Sequence, residues 1–168
     1  MSAATVVRHL DGLRFGADVR SHTVHTDQPI KGGGSGSAPS PVDLLGAALG
    51  SCISLYVYQF CVTRHLAVEG MWVEVDQKSA VNPPRVAEFH VLVVLPEPLP
   101  LQYGAVLDRV VRGCPVYNTL ACGATIHVEV TDLAANSNEV SRNSPTVAEG
   151  DYDSEEVDHA NLISNLKR

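Results

Sequence analysis

The four cysteines are the most reactive side chains of this 168-residue chain: Cys52, Cys61, Cys114 and Cys122. A thiolate attacks peroxides and disulfides, passes reversibly through oxidised forms, and binds soft metal ions. The spacing of the four contains no Cys-x-x-Cys pair, which disfavours a structural zinc site. We therefore expect no bound metal and no cofactor. The thiols then serve either redox chemistry or packing. Cys61 and Cys122 have the setting of ordinary buried or half-buried thiols.

Cys52 lies inside "SPVDLLGAALGSCISLYVYQFC", a stretch typical of a long apolar helix. It shares one stripe of that helix with Leu45 and Leu49, which favours a packed core thiol. As a nucleophile it would need a lowered pKa, yet it lies about three turns from the helix N-terminus, beyond the reach of the helix dipole. A cation would then have to come from elsewhere, and the candidates are Arg8, Arg14 and Arg20. Arg14 is preferred because it closely follows an Asp-Gly turn.

Cys114 has a different setting, since it follows Gly113 at the end of a second predicted helix and precedes Pro115. The field at a helix C-terminus opposes ionisation of a thiol. This position therefore suits a thiol that resolves an oxidised partner better than one that attacks. If both cysteines are functional, Cys52 attacks and Cys114 resolves.

The elements that must position these thiols begin with a β-meander of two or three strands over residues 5–27. A Gly/Ser/Pro stretch at 31–41 predicts a mobile loop without helix or strand. The first helix then begins with Ser40 as N-cap, Pro41 in the first helical position and Asp43 completing a capping box, and it runs to about Arg64.

Alternating apolar residues predict strands at 71–78 and 86–96, separated by an "NPPR" turn. A second helix follows at 101–113, and a last strand at 124–130. The order indicates an α+β domain over residues 1–132. The remaining residues, 133–168, predict an acidic, disordered tail in which "ANLISNLKR" could form a short docking helix.

The first helix is apolar on nearly all sides, which raises a membrane span as an alternative to a buried core helix. Gly46, Gly50, Ser54 and Gln59 interrupt its apolar run and favour the core helix. One small sheet cannot cover such a helix, so we expect it to pack against a second subunit. Gly46, Gly50 and Ser54 either form a groove in which another backbone can approach closely or are small residues that the helix merely tolerates.

The overall charge and composition exclude some partners. A net charge of −7 argues against a nucleic-acid partner. The first 15 residues lack the basic start and apolar run of a signal peptide, and reduced thiols fit a reducing compartment. We therefore expect a cytoplasmic protein with no membrane partner.

Two motifs, "SPVDLLGAALGSCIS" and "RGCPVYNTL", together with "DQP" at 27–29 and the glycine loop, resemble the OsmC/Ohr family of osmotically inducible and organic hydroperoxide resistance proteins. The resemblance extends over roughly residues 5–131. It implies an intertwined α+β homodimer in which two long central helices pack together and are wrapped by antiparallel sheets of both chains.

The resemblance also implies a cysteine peroxidase. Cys52 would attack an organic hydroperoxide and become a sulfenic acid, and Cys114 would condense with it to a disulfide. An arginine would lower the thiol pKa, and a thiol or dihydrolipoyl reductant would complete the cycle. Apolar walls, to which Leu45, Leu49 and Tyr56 could contribute, would favour alkyl peroxides.

One position departs from the peroxidase pattern, because Val42 stands where those members carry a glutamate that orients the arginine. Two functions therefore remain open. The first is a thiol-dependent organic hydroperoxide reductase, and the second is a dimeric OsmC-like protein that binds a small apolar or thiol-reactive ligand with little turnover.

Overall fold

The computed structural model describes residues 4–132 and divides the chain into two compact units, the first ending at Thr125. The first unit contains five strands and three α-helices in the order β1-β2-β3-α1-β4-β5-α2-α3. This mixed architecture confirms the predicted α+β class. The predicted acidic tail and its docking helix, 133–168, lie outside the described residues.

The predicted meander is confirmed as a three-stranded antiparallel sheet, comprising β1 (Val6–Asp11), β2 (Arg14–Val19) and β3 (His22–Thr26). Gly12 supplies the left-handed backbone of the first turn with φ +49°, and Arg20 supplies that of the second with φ 54°. Most of the sheet's large apolar side chains are exposed: Val6, Val7, Leu10, Leu13, Phe15, Val19 and Val24. The sheet therefore buries little of its own apolar surface within this chain.

The Gly/Ser/Pro stretch is more structured than a loop without helix or strand, because it folds around the buried carboxylate of Asp27. Ser35 and Ser37 each donate a backbone N–H and a hydroxyl to Asp27 Oδ2, at 2.6 to 3.1 Å. These hydrogen bonds hold the pKa of Asp27 well below its usual range. A single 3₁₀ turn, Ile30–Gly32, completes the loop. The Gly/Ser/Pro pattern does not indicate this network, because Asp27 lies before residues 31–41.

Helix α1 (Pro41–Val62) begins as its sequence predicts. Asp43 N–H donates to Ser40 Oγ at 3.2 Å, and Ser40 N–H donates to Asp43 Oδ2 at 2.8 Å. The capping box is therefore complete, and Pro41 occupies the first helical position, where its missing N–H costs nothing. The helix ends two residues before the predicted boundary.

We expect Ser40→Ala to lower the free energy of unfolding by about 1 kcal/mol, because the mutation removes the acceptor for the Asp43 N–H. Urea unfolding followed by circular dichroism measures the change. Ser40→Thr keeps the hydroxyl and should remain within about 0.5 kcal/mol of the wild type. Equal stability of the alanine variant and the wild type would contradict this assignment of the cap.

Strands β4 (Trp72–Val81) and β5 (Pro84–Val94) form an antiparallel hairpin that is longer than predicted. The turn between them contains only residues 82 and 83. One face of the hairpin packs against the buried core through the side chains of Val73, Val75, Phe89 and Val93. That core consists of Leu49, Ile53, Val57, Phe60, Cys61, Val110 and Cys114.

The small residues of α1 are a site of close approach, and the element that approaches is β4 of the same chain. A Cβ added at Gly46 would lie 2.6 Å from Gln77 Nε2, and one at Gly50 would lie 3.1 Å from Val75 Cγ2. Ser54 instead donates its hydroxyl to the Gly50 carbonyl at 2.8 Å. The two glycines therefore make room for side chains of β4, and not for the close backbone approach that the groove interpretation predicts.

The outer face of α1, defined here as Ala48, Ser51, Leu55, Tyr58 and Val62, is exposed. These positions recur at spacings of three and four residues, which places them on one side of the helix. The helix is long and apolar enough to cross a membrane, but a core helix passes the same test, so this is weak evidence for a span. Its opposite side lies in the core.

The C-terminal part of the domain differs from prediction in two ways. Helix α2 (Gly104–Arg112) is present after a 3₁₀ turn, Leu101–Tyr103, but an unpredicted third helix, α3 (Pro115–Cys122), follows it. The strand predicted at 124–130 is wrong for this structure, since none of the described residues after Cys122 belongs to a strand. Alternating apolar residues satisfy a strand pattern, but a strand also needs a hydrogen-bonded neighbour.

Candidate active site

The structure brings Cys52 and Cys114 together. Cys52 is half-buried on α1, whereas Cys114 is fully buried at the start of α3. Cys114 lies close enough to Cys52 to raise the pKa of its thiol, and the Val116 backbone N–H beside Cys52 lowers that pKa. Two cysteines that lie 62 positions apart in the sequence are thus neighbours in the fold, and both are free thiols.

The predicted position of Cys114 directly after the end of α2 is confirmed, but this residue is also the N-cap of α3. Its Sγ accepts the Tyr117 backbone N–H at 3.4 Å, and Pro115 occupies the first helical position. The amides at the start of α3 therefore point at sulfur, Val116 N–H toward Cys52 and Tyr117 N–H toward Cys114. Such donors stabilise negative charge on a thiolate.

Burial raises the pKa of the Cys52 thiol, and the neighbouring Cys114 thiol raises that pKa further. The Val116 N–H opposes this shift. Tyr56 lies beside the pair. Burial raises the pKa of its phenol, and the charges of the two thiols raise that pKa further. Among the described residues, no cation contributes to the pKa of Cys52.

The three candidate arginines have other positions within this chain. Arg14 Nη1 donates to Asp11 Oδ2 at 3.1 Å across the β1–β2 turn, and Arg8 pairs with Asp18. Arg20 forms the β2–β3 turn. The structure therefore does not bring Arg14 to Cys52 within one chain, and its catalytic role stays a prediction.

An apolar groove of about 750 Å³ lies between the N-terminal half of α1, the β4–β5 hairpin and α3. Leu45 and Leu49 line it, as predicted for the walls of a peroxide site, whereas Tyr56 lies beside the thiols instead. The complete lining is Val42, Leu45, Leu49, Ser79, Ala80, Pro84, Arg85, Val86, Ala87, Phe89, Val91, Tyr117, Leu120 and Ala121. Cys52 lies one helical turn beyond Leu49, and Cys114 one turn before Tyr117.

Val42 and Asp43, at the start of α1, have different settings in the structure. Val42 lines the groove with an apolar side chain. Asp43 accepts hydrogen bonds from Ser40 in the capping box, which lowers the pKa of its carboxyl. The acid next to Val42 is therefore committed to the helix cap.

The other two cysteines are separate from the pair. Cys61 is fully buried in the core, where desolvation raises the pKa of its thiol, and Cys122 is exposed at the last residue of α3. Within residues 4–132, no cluster of three or more histidine, cysteine or acidic side chains could hold a metal ion. Neither cysteine contributes to the candidate site.

The sequence profile described as OsmC-like protein matches residues 33–129, which is more than half of the chain and includes both thiols. The chain belongs to the OsmC-like family. No curated protein matches it significantly.

Solved structures agree with the family assignment. A putative osmotic stress induced and detoxification response protein from Psychrobacter arcticus is 26% identical, with a TM-score of 0.65 over 70% of this chain and 87% of that one. An OsmC-like protein of unknown function from Vibrio cholerae is 13% identical, with a TM-score of 0.57 over 71% and 94% of the two chains.

A third structure is a putative organic hydroperoxide resistance protein from Vibrio cholerae with captopril bound in one of its active sites. It is 18% identical, with a TM-score of 0.50 over 71% of this chain and 85% of that one. At such identities the last two structures show a shared OsmC-like fold.

Sequence reasoning missed two parts of the site. The first is α3, whose N-terminal amides bond both thiols. Pro115 after Cys114 could have indicated it, since proline is common in the first helical position. The second is Arg85, which reaches the groove from the hairpin. No local signal distinguishes it from any other exposed arginine.

Proposed function

We propose that this protein is a thiol-dependent peroxidase that reduces organic hydroperoxides, with Cys52 as the attacking thiol and Cys114 as the resolving thiol. The observation that carries the proposal is the proximity of a half-buried thiol, Cys52, to a fully buried one, Cys114. The more accessible thiol can meet a peroxide, and the buried thiol can meet only its neighbour. Family membership supports the pairing.

The proposed cycle conserves atoms and electrons. The Cys52 thiolate attacks one oxygen of the hydroperoxide, the O–O bond breaks, and the alkoxide leaves with the electron pair and takes up a proton to become an alcohol. Cys52 is then a sulfenic acid. Cys114 attacks its sulfur, which forms the disulfide and releases water. A dithiol such as a dihydrolipoyl group reduces the disulfide and is itself oxidised.

A second copy of the chain completes the proposed site. The outer face of α1 and the apolar side chains of the β1–β3 sheet are exposed in one chain, and both faces become buried if two chains intertwine. Such an assembly would also bring an arginine of the β1–β3 sheet from one chain to Cys52 of the other. Arg14 remains the preferred candidate. We place the dimer in the cytoplasm, where thiol reductants are available.

We expect Leu55→Lys to convert the dimer to monomer, because it places an ammonium group in the middle of the outer face of α1, where Leu55 is 50% exposed in one chain. Light scattering coupled to size-exclusion chromatography measures the mass. Leu101→Lys makes the same chemical change at a residue that is 99% exposed and should leave the dimer intact. A monomeric wild type, or a dimeric Leu55→Lys variant, would contradict the proposed interface.

The peroxidase proposal is tested by steady-state turnover of the wild-type protein with a dihydrolipoyl reductant. Cumene hydroperoxide should be reduced with a higher kcat/KM than hydrogen peroxide, since the groove near the thiols is apolar. Equal, slow rates with both peroxides would argue against the proposal.

The alternative is an OsmC-like protein that binds a small apolar or thiol-reactive ligand with little turnover. Two observations favour it: the raised pKa of Cys52 within one chain, and Val42 in the position of a family acid. Slow turnover together with stoichiometric ligand binding would select this function.

A further inference from the structure

The cation in the apolar groove has no role in the chemistry described above. Among the described residues, Arg85 is the only charged one that lines the groove, and it lies at the start of β5, opposite Ala80 of β4. Its guanidinium donates to the Pro83 carbonyl at 3.3 Å. Among the described ion pairs, none involves Arg85, whereas Arg8, Arg14, Lys78 and Arg112 each pair with a carboxylate.

We propose that the groove binds molecules with an apolar chain and one anionic head group, and that Arg85 holds the head group. With the proposed peroxidase function, on which this part rests, the site then favours anionic alkyl hydroperoxides over neutral ones. A planar guanidinium forms strong paired hydrogen bonds with a carboxylate. The apolar walls bind the chain, and the single charge sets its direction.

The direction of the bound molecule follows from the packing of β4 on α1. Gly50 faces Val75, and Gly46 faces Gln77, so β4 runs toward the N-terminus of the helix. Arg85, at the far end of the hairpin, therefore lies toward the helix N-terminus, on the side of Val42. Cys52 lies ten residues further along the helix, which is about 15 Å.

A chain held at Arg85 would thus run past Leu45 and Leu49 toward the thiols. The groove therefore suits an extended chain with its reacting group well separated from its head group. None of the lining residues within 4–132 is acidic, so this part of the chain places no negative charge against such a head group.

The test uses decanoate and decan-1-ol, which share a chain length and differ in charge, with the reduced full-length protein and isothermal titration calorimetry. We expect decanoate to bind more tightly than decan-1-ol. Arg85→Ala should weaken decanoate binding about tenfold and leave the binding of decan-1-ol unchanged, since a hydrogen-bonded charge is worth roughly this factor. Arg85→Lys should retain part of the preference.

The matched control is Arg109→Ala, which removes the same charge from α2, outside the groove, and should change neither affinity. Val42→Glu places a carboxylate in the groove and should weaken decanoate binding specifically. Any of three results would overturn the proposal. The wild type and Arg85→Ala could bind decanoate equally well, the wild type could bind decanoate and decan-1-ol equally well, or decanoate could fail to bind. Because neither probe is a peroxide, these results are independent of whether the protein turns over hydroperoxides.

Discussion

Cys52→Ser is expected to abolish the reduction of organic hydroperoxides and the formation of any disulfide with Cys114. A serine hydroxyl at this position has no activated form, and the remaining partner, Cys114, is fully buried. Loss of a nucleophile from a catalytic pair lowers rates by about a thousandfold or more. The measurement is the rate of oxidation of the reduced protein by one equivalent of cumene hydroperoxide.

Cys114→Ser should behave differently, because the attacking thiol remains. We expect one turn of peroxide reduction that stops at a Cys52 sulfenic acid, which dimedone would label. Cys122→Ser is the matched control, since this cysteine is exposed at the end of α3 and should be dispensable. A Cys52→Ser protein that oxidises as fast as the wild type would show that the chemistry resides elsewhere.

Gly34→Ala is expected to cause the largest loss of stability among single methyl additions in the loop before α1. A Cβ at this position would lie 2.0 Å from the Gln28 carbonyl oxygen and 2.7 Å from Asp27 Oδ1. The first of these is a backbone atom, so the loop must move, and the hydrogen bonds that converge on Asp27 would be lost. We expect a decrease of about 3 kcal/mol in the free energy of unfolding, measured in urea.

Gly32→Ala provides the control in the same loop, because its added Cβ would meet no atom closer than 3.6 Å. It should stay within about 1 kcal/mol of the wild type. If the two variants are equally stable, the packing of the loop around Asp27 is not as described.

The parts of the fold that could be predicted have signals that are local in sequence. Ser40, Pro41 and Asp43 specify the start of α1 among themselves, and the meander follows from short β-branched runs and tight turns. Helix α3 was missed because Cys114 caps it with a thiol, and cysteine is not among the usual N-cap residues. The segment 124–130 has the alternation of a strand, but alternation does not supply a neighbour.

The candidate site likewise depends on features that have no local signal in the sequence. The helical settings of Cys52 and Cys114 suggest different roles, but only the family resemblance indicates that the two lie together, because no spacing rule joins residues so distant in the chain. The groove could not be predicted, since α1, a hairpin and α3 each supply only part of its wall. Arg85 reaches it because β4 lies closely on Gly46 and Gly50, a packing detail that depends on tertiary structure.

The central claim is that Cys52 and Cys114 form one redox pair, and peptide mass spectrometry after one equivalent of cumene hydroperoxide tests it most directly. The account predicts rapid formation of a single Cys52–Cys114 disulfide, faster than with hydrogen peroxide, while Cys61 and Cys122 remain reduced. Slow oxidation spread over all four thiols, with no preference for the organic peroxide, would contradict the account and favour the ligand-binding function.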